Sequence, residues 1–258
     1  MKILVGWSDS PGASAAVAWA KDLVARHGGE VRLAHAVSTF PIATYEGVTE
    51  VARMFDAAIN AQTERANLVC KSLEDAGVKA SCSVHHAIPG DFILGEAEKW
   101  GADLIVVGRR EIGRFGHLLL GSNSAHIVRR AKCPTLVVHD LPPTDHTLRI
   151  LDAVDGSPSS ARAVKCAKSL WPKAETEALA VVEEGALPSA EVVNAAGDVP
   201  LKAAVGSPLE VLGTRAKEGA QDVTVVGRRG LGFFKELLLG SVSERIVSLA
   251  KASVLVVP

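Results

Sequence analysis

Two glycine-punctuated stretches of this chain have the residue types to cradle an anion. The later one, Val223 to Val247, reads VTVVGRRGLGFFKELLLGSVSERIV. A β-branched apolar run ends at Gly227, Gly230 follows, and Gly240-Ser241 opens a segment with Ile246, Val247 and Ala250 at helical spacing. Glycine permits φ > 0 and close approach of a ligand to the backbone. The first turn of a helix offers unpaired N–H groups and the positive end of its dipole. Strand, glycine loop and helix start together make a site for phosphate oxygens. A tight turn followed by a capped helix would use the same residues, but the Gly-Ser at the junction favours phosphate. Ser241 can cap the helix, donate to a phosphate, or both.

The same pattern occurs earlier. Leu104 to Val128 reads LIVVGRREIGRFGHLLLGSNSAHIV. Gly108 and Gly227 stand 119 residues apart, as do Gly121 and Gly240. The chain is an internal duplication.

Other chemistry is weaker. Neither loop ends in the Lys-Ser/Thr of a Walker P-loop. Lys235 and Glu236 lie within the second loop, where Glu236 could orient a water or sit as an exposed helix-turn carboxylate. His85 and His86 point to opposite faces of a strand and cannot both ligate one metal. His117 and His126, near the first loop, read as surface histidines that would favour an anion only when protonated. Trp7, Trp19, Trp100 and Trp171 read as packing residues. Cys70, Cys82, Cys133 and Cys166 show no metal or redox spacing, which points to reduced thiols in a cytoplasmic protein. A net charge of −1 gives no field for nucleic acid or an acidic membrane. No apolar run approaches the roughly 18 residues that span a bilayer, and MKILVGWSDSPG is too short for a signal peptide and reads as a strand.

The elements that must position these residues alternate. Strands are expected at Lys2–Trp7, Val31–Val37, Lys79–His86, Leu104–Val107 and Pro134–His139, with helices from Ser14 to His27, Val48 to Asp75, Pro89 to Lys99 and after Gly121. Phe40 to Gly47 reads as irregular. Leu141-Pro142-Pro143-Thr144 is a linker, since paired prolines cannot continue a strand. The pattern restarts with strands at Leu148–Val154, Ala178–Val182, Pro200–Val205, Val223–Val226 and Val254–Val257, and helices from Ser159 to Leu170, Pro208 to Lys217 and after Gly240. Ser10-Pro11 matches Ser157-Pro158 at an offset of 147, but Pro89 matches Pro208 at 119, so the second repeat is 28 residues shorter in between. Only Ser189 to Ala196 could supply a short remnant of the missing helix. One sheet face of the second repeat should then need the Val48–Asp75 helix, or a second chain, to cover it. Two α/β domains with parallel sheets follow, at 1–140 and 147–258, with ligands beyond the carboxyl ends of the strands where strand order reverses. That places Asp155 and the Gly227 loop around one pocket.

Both halves resemble universal stress protein domains. The carriers are Ile150-Leu151-Asp152-Ala153-Val154-Asp155-Gly156-Ser157-Pro158, Val205-Gly206-Ser207-Pro208, the segment ending in Gly227 and the G-x2-G-x9-G-S loop. The resemblance implies an open five-stranded parallel sheet with helices on both faces in each domain, adenine-nucleotide α-hydrolase-like, with a shortened middle helix in the second. Dimers of that family often pair through the last strand, which implies a pseudo-dimer through Thr135–Val138 and Val254–Val257, and a homodimer of the whole chain.

The resemblance also implies ATP binding in the second repeat, with a regulatory role in the stress response. Asp155, beside Ala153, would contact adenosine, and the Val181 backbone would read the adenine edge. Val226 and Gly227 would border ribose and phosphates. Gly230, Gly240, Ser241 and Val242 would cradle phosphates, with Ser243 either adding a hydroxyl or capping. Arg228 or Arg229 could pair with a phosphate. Mg²⁺ would arrive with ATP, held by phosphates and water. The first repeat departs from the pattern. Ser8 replaces the acid, with Asp9 on the opposite side of the chain, and Glu111 replaces the second glycine. Two like charges about 4 Å apart repel by roughly 1 kcal/mol in water and several at a protein surface. Gly113 and Gly116 keep flexibility without the register, while Ala36 still offers a backbone edge. One ATP per chain is expected, with the first repeat empty or holding something less phosphorylated. Two other classes stand beside this: an adenylyl-transferring or slowly ATP-hydrolysing enzyme, for which the sequence shows no catalytic base, and a nucleotide-free scaffold.

Overall fold

The computed structural model describes residues 1–38, 48–109, 111–112, 117–118, 121–230 and 239–258, with backbone alone at 48–52, 111–112 and 117–118. The expectations for residues 40–47, Gly113, Gly116, Lys235, Glu236 and the His117 side chain lie outside it.

The first repeat runs β1 (Lys2–Gly6), α1 (Pro11–His27), β2 (Glu30–Val37), α2 (Val48–Asp75), β3 (Lys79–His86), α3 (Pro89–Trp100), β4 (Leu104–Gly108), the two-residue strands β5 (Glu111–Ile112) and β6 (His117–Leu118), α4 (Ser122–Arg130) and β7 (Thr135–Val138). The second runs β8 (Arg149–Ala153), α5 (Pro158–Leu170), β9 (Glu175–Val182), α6 (Ala190–Ala196), β10 (Leu201–Val205), α7 (Pro208–Glu218), β11 (Val223–Gly227), α8 (Ser241–Leu249) and β12 (Ser253–Val257). Helix α1 begins three residues earlier than its apolar spacing suggests. Ser10 is its N-cap, accepting from the Ala13 N–H, and Pro11 takes the first turn, where no N–H is needed. The ribbon β5–β6 was not expected.

Ten strands form one sheet in the order β10-β9-β8-β11-β12-β7-β4-β1-β2-β3. Each repeat contributes five parallel strands. The two sets join at β7 and β12, which pair antiparallel with Val137 opposite Val254 and Thr135 opposite Val256. The pseudo-dimer therefore forms within one chain. Because the sets run in opposite directions, the carboxyl ends of their strands lie at opposite ends of the sheet.

Alternation along each strand divides the core. Ile3, Val5, Leu255 and Val257 pack under α1, α2 and α5, whereas Leu4, Val107, Val254 and Val256 pack under α3, α4, α7 and α8. Trp19 and Trp171 meet edge to face at 5.9 Å, joining α1 to α5 across the repeats. The linker is pinned where His146 and Arg149 both reach Asp222, at 3.0 and 3.1 Å.

Helix α2 covers its own repeat, with Ala66, Cys70 and Leu73 buried against β2 and β3. Its packing is on β2 and β3 of its own repeat, so of the two covers expected, this helix or a second chain, the helix is corrected. In the second repeat the short α6 covers part of the face, packing Ala196 with Val154, Val164, Ala178 and Ala180. The open end shows at one matched pair. His86 on β3 is stacked edge to face with Phe55 of α2 at 4.5 Å, but its counterpart Val205 is 59% exposed.

Candidate functional site

In the second repeat β8 ends at Ala153, and the Val154 N–H donates to the Leu179 carbonyl of β9 at 3.0 Å. Backbone direction alternates along a strand. Val181, two residues on, therefore directs its N–H and C=O the same way, past the end of β8. Asp155 follows. One of its oxygens accepts from the Ser157 N–H at 3.0 Å, a turn that leads into α5. Ser157 then caps α5, accepting from the Ser160 N–H at 3.1 Å, and its hydroxyl lies 3.5 Å from the Arg229 carbonyl. The second Asp155 oxygen lies so close to Gly230 that an added Cβ would overlap it. The strand-1 turn and the glycine loop thus meet.

The loop glycines are not explained by φ. Among the described residues the positive-φ glycines exclude Gly227, Gly230 and Gly240. Close approach accounts for two of them. A Cβ at Gly227 would stand 2.6 Å from the Ser159 hydroxyl and 2.8 Å from its carbonyl carbon, so helix α5 claims that space. Gly230 adjoins Asp155. Gly240 is different: among the described residues a Cβ there meets nothing nearer than the Arg228 carbonyl at 3.5 Å, which is ordinary contact.

Gly240, not Ser241, is the N-cap of α8, and no side chain caps that turn. Ser241 stands exposed at the first helical position, followed by half-buried Val242. The first-turn N–H groups have no intrahelical acceptor. Helix α4 begins in the same way at Gly121, whereas Ser10, Ser157 and Ser189 cap α1, α5 and α6. Ser243 is buried, and its hydroxyl donates to the Gly227 carbonyl at 2.7 Å. Its role is to tie the helix to the strand end, so its proton is not available to a phosphate. Ser124 does the same for Gly108 at 3.2 Å. Val226 is 2% exposed and serves the core.

The arginines differ. Arg229 is exposed beside Gly230. Arg228 turns away and donates to the Ala131 carbonyl at the end of α4. Burial lowers its proton affinity, and that of Arg109, which donates to the Ala250 and Ser248 carbonyls of α8.

The first repeat holds an open crevice of about 940 Å³ at the ends of β1, β2 and β4. Ser8, Ala36 and Arg109 line it, with the Gly121–Ser124 helix start and His139. Ser8 and Ser10 hydroxyls stand 3.0 Å apart where the second repeat has Asp155 and Ser157. Trp7 also lines the crevice, and its carbonyl accepts from His35 Nδ1 at 2.8 Å. Trp7 is buried in the core, as its reading as a packing residue expects, while His35 and His139 were overlooked; their positions near strand ends were the available signal. The Glu111 side chain lies outside the described residues, as do residues 231–238.

Among the described residues no group of three or more His, Cys, Asp or Glu could hold a metal, and no described helix is long and apolar enough to cross a membrane. The four cysteines are free, and burial pushes Cys70 up to about 12.

Comparison with known proteins agrees with this architecture. The model of the universal stress protein family matches residues 1–139 and 167–258. A universal stress protein of Mycolicibacterium smegmatis is 27% identical over 99% of this chain and 96% of its own length. One from Mycobacterium tuberculosis is 29% identical over 98% and 95%. A solved universal stress protein from Archaeoglobus fulgidus superposes with a TM-score of 0.72 at 23% identity, covering 99% of this chain and 95% of that one. With two copies of the fold joined through their last strands, the chain belongs to the universal stress protein family as a tandem member.

Proposed function

We propose that this protein binds ATP in its second repeat and that the bound nucleotide biases a partner-facing surface in a stress response. The observation that carries the reading is the meeting of Asp155, Gly230 and the uncapped start of α8. Asp155 and the Val181 backbone face the adenosine end. The N–H groups of Ser241 and Val242, with Gly230 and Gly240 leaving the approach clear, face the phosphate end, and Arg229 stands at the rim. Val226, Gly227 and Ala153 shape the floor. Mg²⁺ would come with the nucleotide and take its remaining ligands from water. The carboxylates beside the helix start are engaged, Asp155 by the Ser157 N–H and Glu244 by Arg129, so binding rather than turnover is the reading.

A second reading has its own support. The crevice of about 940 Å³ in the first repeat is large enough for a nucleotide. It has the same uncapped helix start at Gly121. Titration calorimetry with Mg·ATP separates the two. Wild type should bind about one ATP per chain. Gly230→Glu, which copies Glu111, should weaken binding at least about tenfold through like-charge repulsion. Ala36→Trp, which fills the first crevice, should leave it intact. The reverse pattern would assign the ligand to the first repeat, and no binding by wild type would leave the scaffold reading.

A further inference from the structure

The two glycine loops are wired to each other. Arg109 directly follows Gly108, and its guanidinium donates to Ser248 and Ala250 at the carboxyl end of α8. Arg228 directly follows Gly227 and donates to Ala131 at the carboxyl end of α4. These are matched positions, since Ala131 and Ala250 are 119 residues apart, as are Arg109 and Arg228. Each helix is held at its other end by its own loop. Ser243 bonds the Gly227 carbonyl, and the Gly240 N–H bonds the Arg228 carbonyl at 2.9 Å. Ser124 bonds the Gly108 carbonyl. The contacts therefore close into a ring: loop one, Arg109, α8, loop two, Arg228, α4 and back. Arg129 of α4 also pairs with Glu244 in the first turn of α8.

Arginine suits this place. Its planar fork can reach two carbonyls at once, as Arg109 does, and a cation is favoured where the helix dipole is negative. Arg109 also lines the first crevice.

We propose that Arg109 and Arg228 are positioning residues that couple the strand-end sites of the two repeats, each setting the helix start of the opposite repeat through that helix's last carbonyls. A ligand that moves one loop then shifts the helix start in the other repeat. The ligand part of this rests on the nucleotide reading above; the mechanical part does not.

Hydrogen exchange of the full ligand-free chain tests it, using Arg109→Ala, Arg109→Lys and Arg228→Ala. Arg109→Ala should speed exchange at the Gly240 and Glu244 amides, which close the far end of α8 by donating to the Arg228 and Gly240 carbonyls, by about threefold or more, with Lys intermediate. Arg228→Ala should do the same at the Ala125 amide, which donates to the Gly121 carbonyl. A simple helix cap would alter only the last turn, Ser248 to Lys251, and that result overturns the proposal. Should Arg109→Ala fail to fold, Arg109→Lys and Arg228→Ala still decide. With Mg·ATP, Arg109→Ala should change the affinity of the second repeat about fivefold or more. Unchanged affinity in a protein whose wild type binds ATP also overturns it. A wild type that binds no ATP defeats the nucleotide reading alone, and exchange at the two helix starts still settles the coupling.

Discussion

Asp152 is 1% exposed on β8, and among the described residues neither of its carboxyl oxygens has a hydrogen-bond partner. Burial pushes it up to about 7. Its counterpart in the first repeat is Val5. The titratable group beside it is Cys166, itself pushed up to about 11 by burial, with Asp152 adding to the rise. The folded value lies above that of an unfolded aspartate, so the native state holds a proton that the unfolded state releases. Stability from this group is greatest near pH 4 and falls as the pH climbs toward 7. Asp152→Val should therefore stabilise the protein by roughly 2–4 kcal/mol at pH 8 and by less at pH 4.5, which urea unfolding at the two pH values would measure. A neutral or destabilising effect at pH 8 would show that the carboxylate has a partner or water. The side chain was visible in the sequence only as one letter of the family pattern. Its neighbours across the sheet, Ala178 on β9 and Val225 on β11, have side chains with no polar hydrogen to offer it.

The strand end and the helix start on either side of the second loop carry glycine for different reasons, and substitution separates them. Gly227→Ala drives a methyl into the Ser159 backbone and should cost about 1–3 kcal/mol. Gly240→Ala meets only ordinary contacts at φ −69°, so it should melt within about 0.5 kcal/mol of wild type yet weaken ATP binding by crowding the helix start. Equal losses of stability would mean that both glycines serve packing alone. The elements themselves were legible. β-branched runs such as Val223–Val226 can only be buried strands, and the prolines at 11, 89, 158 and 208 mark helix starts. What sequence misplaced were caps. Ser241 reads as an N-cap because serine favours that position, but Gly240 holds it and leaves the turn open. Ser243 reads as either a phosphate contact or a cap, but a strand carbonyl takes its proton. The arginine links were illegible, since their acceptors are carbonyls in the other repeat, which no side-chain pattern announces.

At the scale of the molecule, duplication produced an unequal pair. The pseudo-twofold at β7–β12 puts the carboxyl ends of the two strand sets at opposite ends of the sheet, but the second repeat has only the 7-residue α6 where the first has the 28-residue α2. Val193 and Val205, 50% and 59% exposed, stand on that repeat, with Val205 on the face α2 would have covered. A parallel sheet is ordinarily covered on both faces. A second copy of the chain is the occupant that the homodimer expectation names. Light scattering at tens of micromolar should then find a dimer, and Val205→Glu should shift it to monomer. A monomeric wild type would leave α6 as sufficient cover. The two repeats need not share a ligand either: the second has Asp155 and Gly230 at the positions that Ser8 and Glu111 hold in the first. Crystals of the full chain grown with Mg·ATP give the most direct test. Density running from the Val181 backbone past Asp155 to the amides of Ser241 and Val242, with the crevice beside Ser8 free of triphosphate, is the predicted result. Triphosphate seated in the first-repeat crevice, with none beside Asp155, would contradict it.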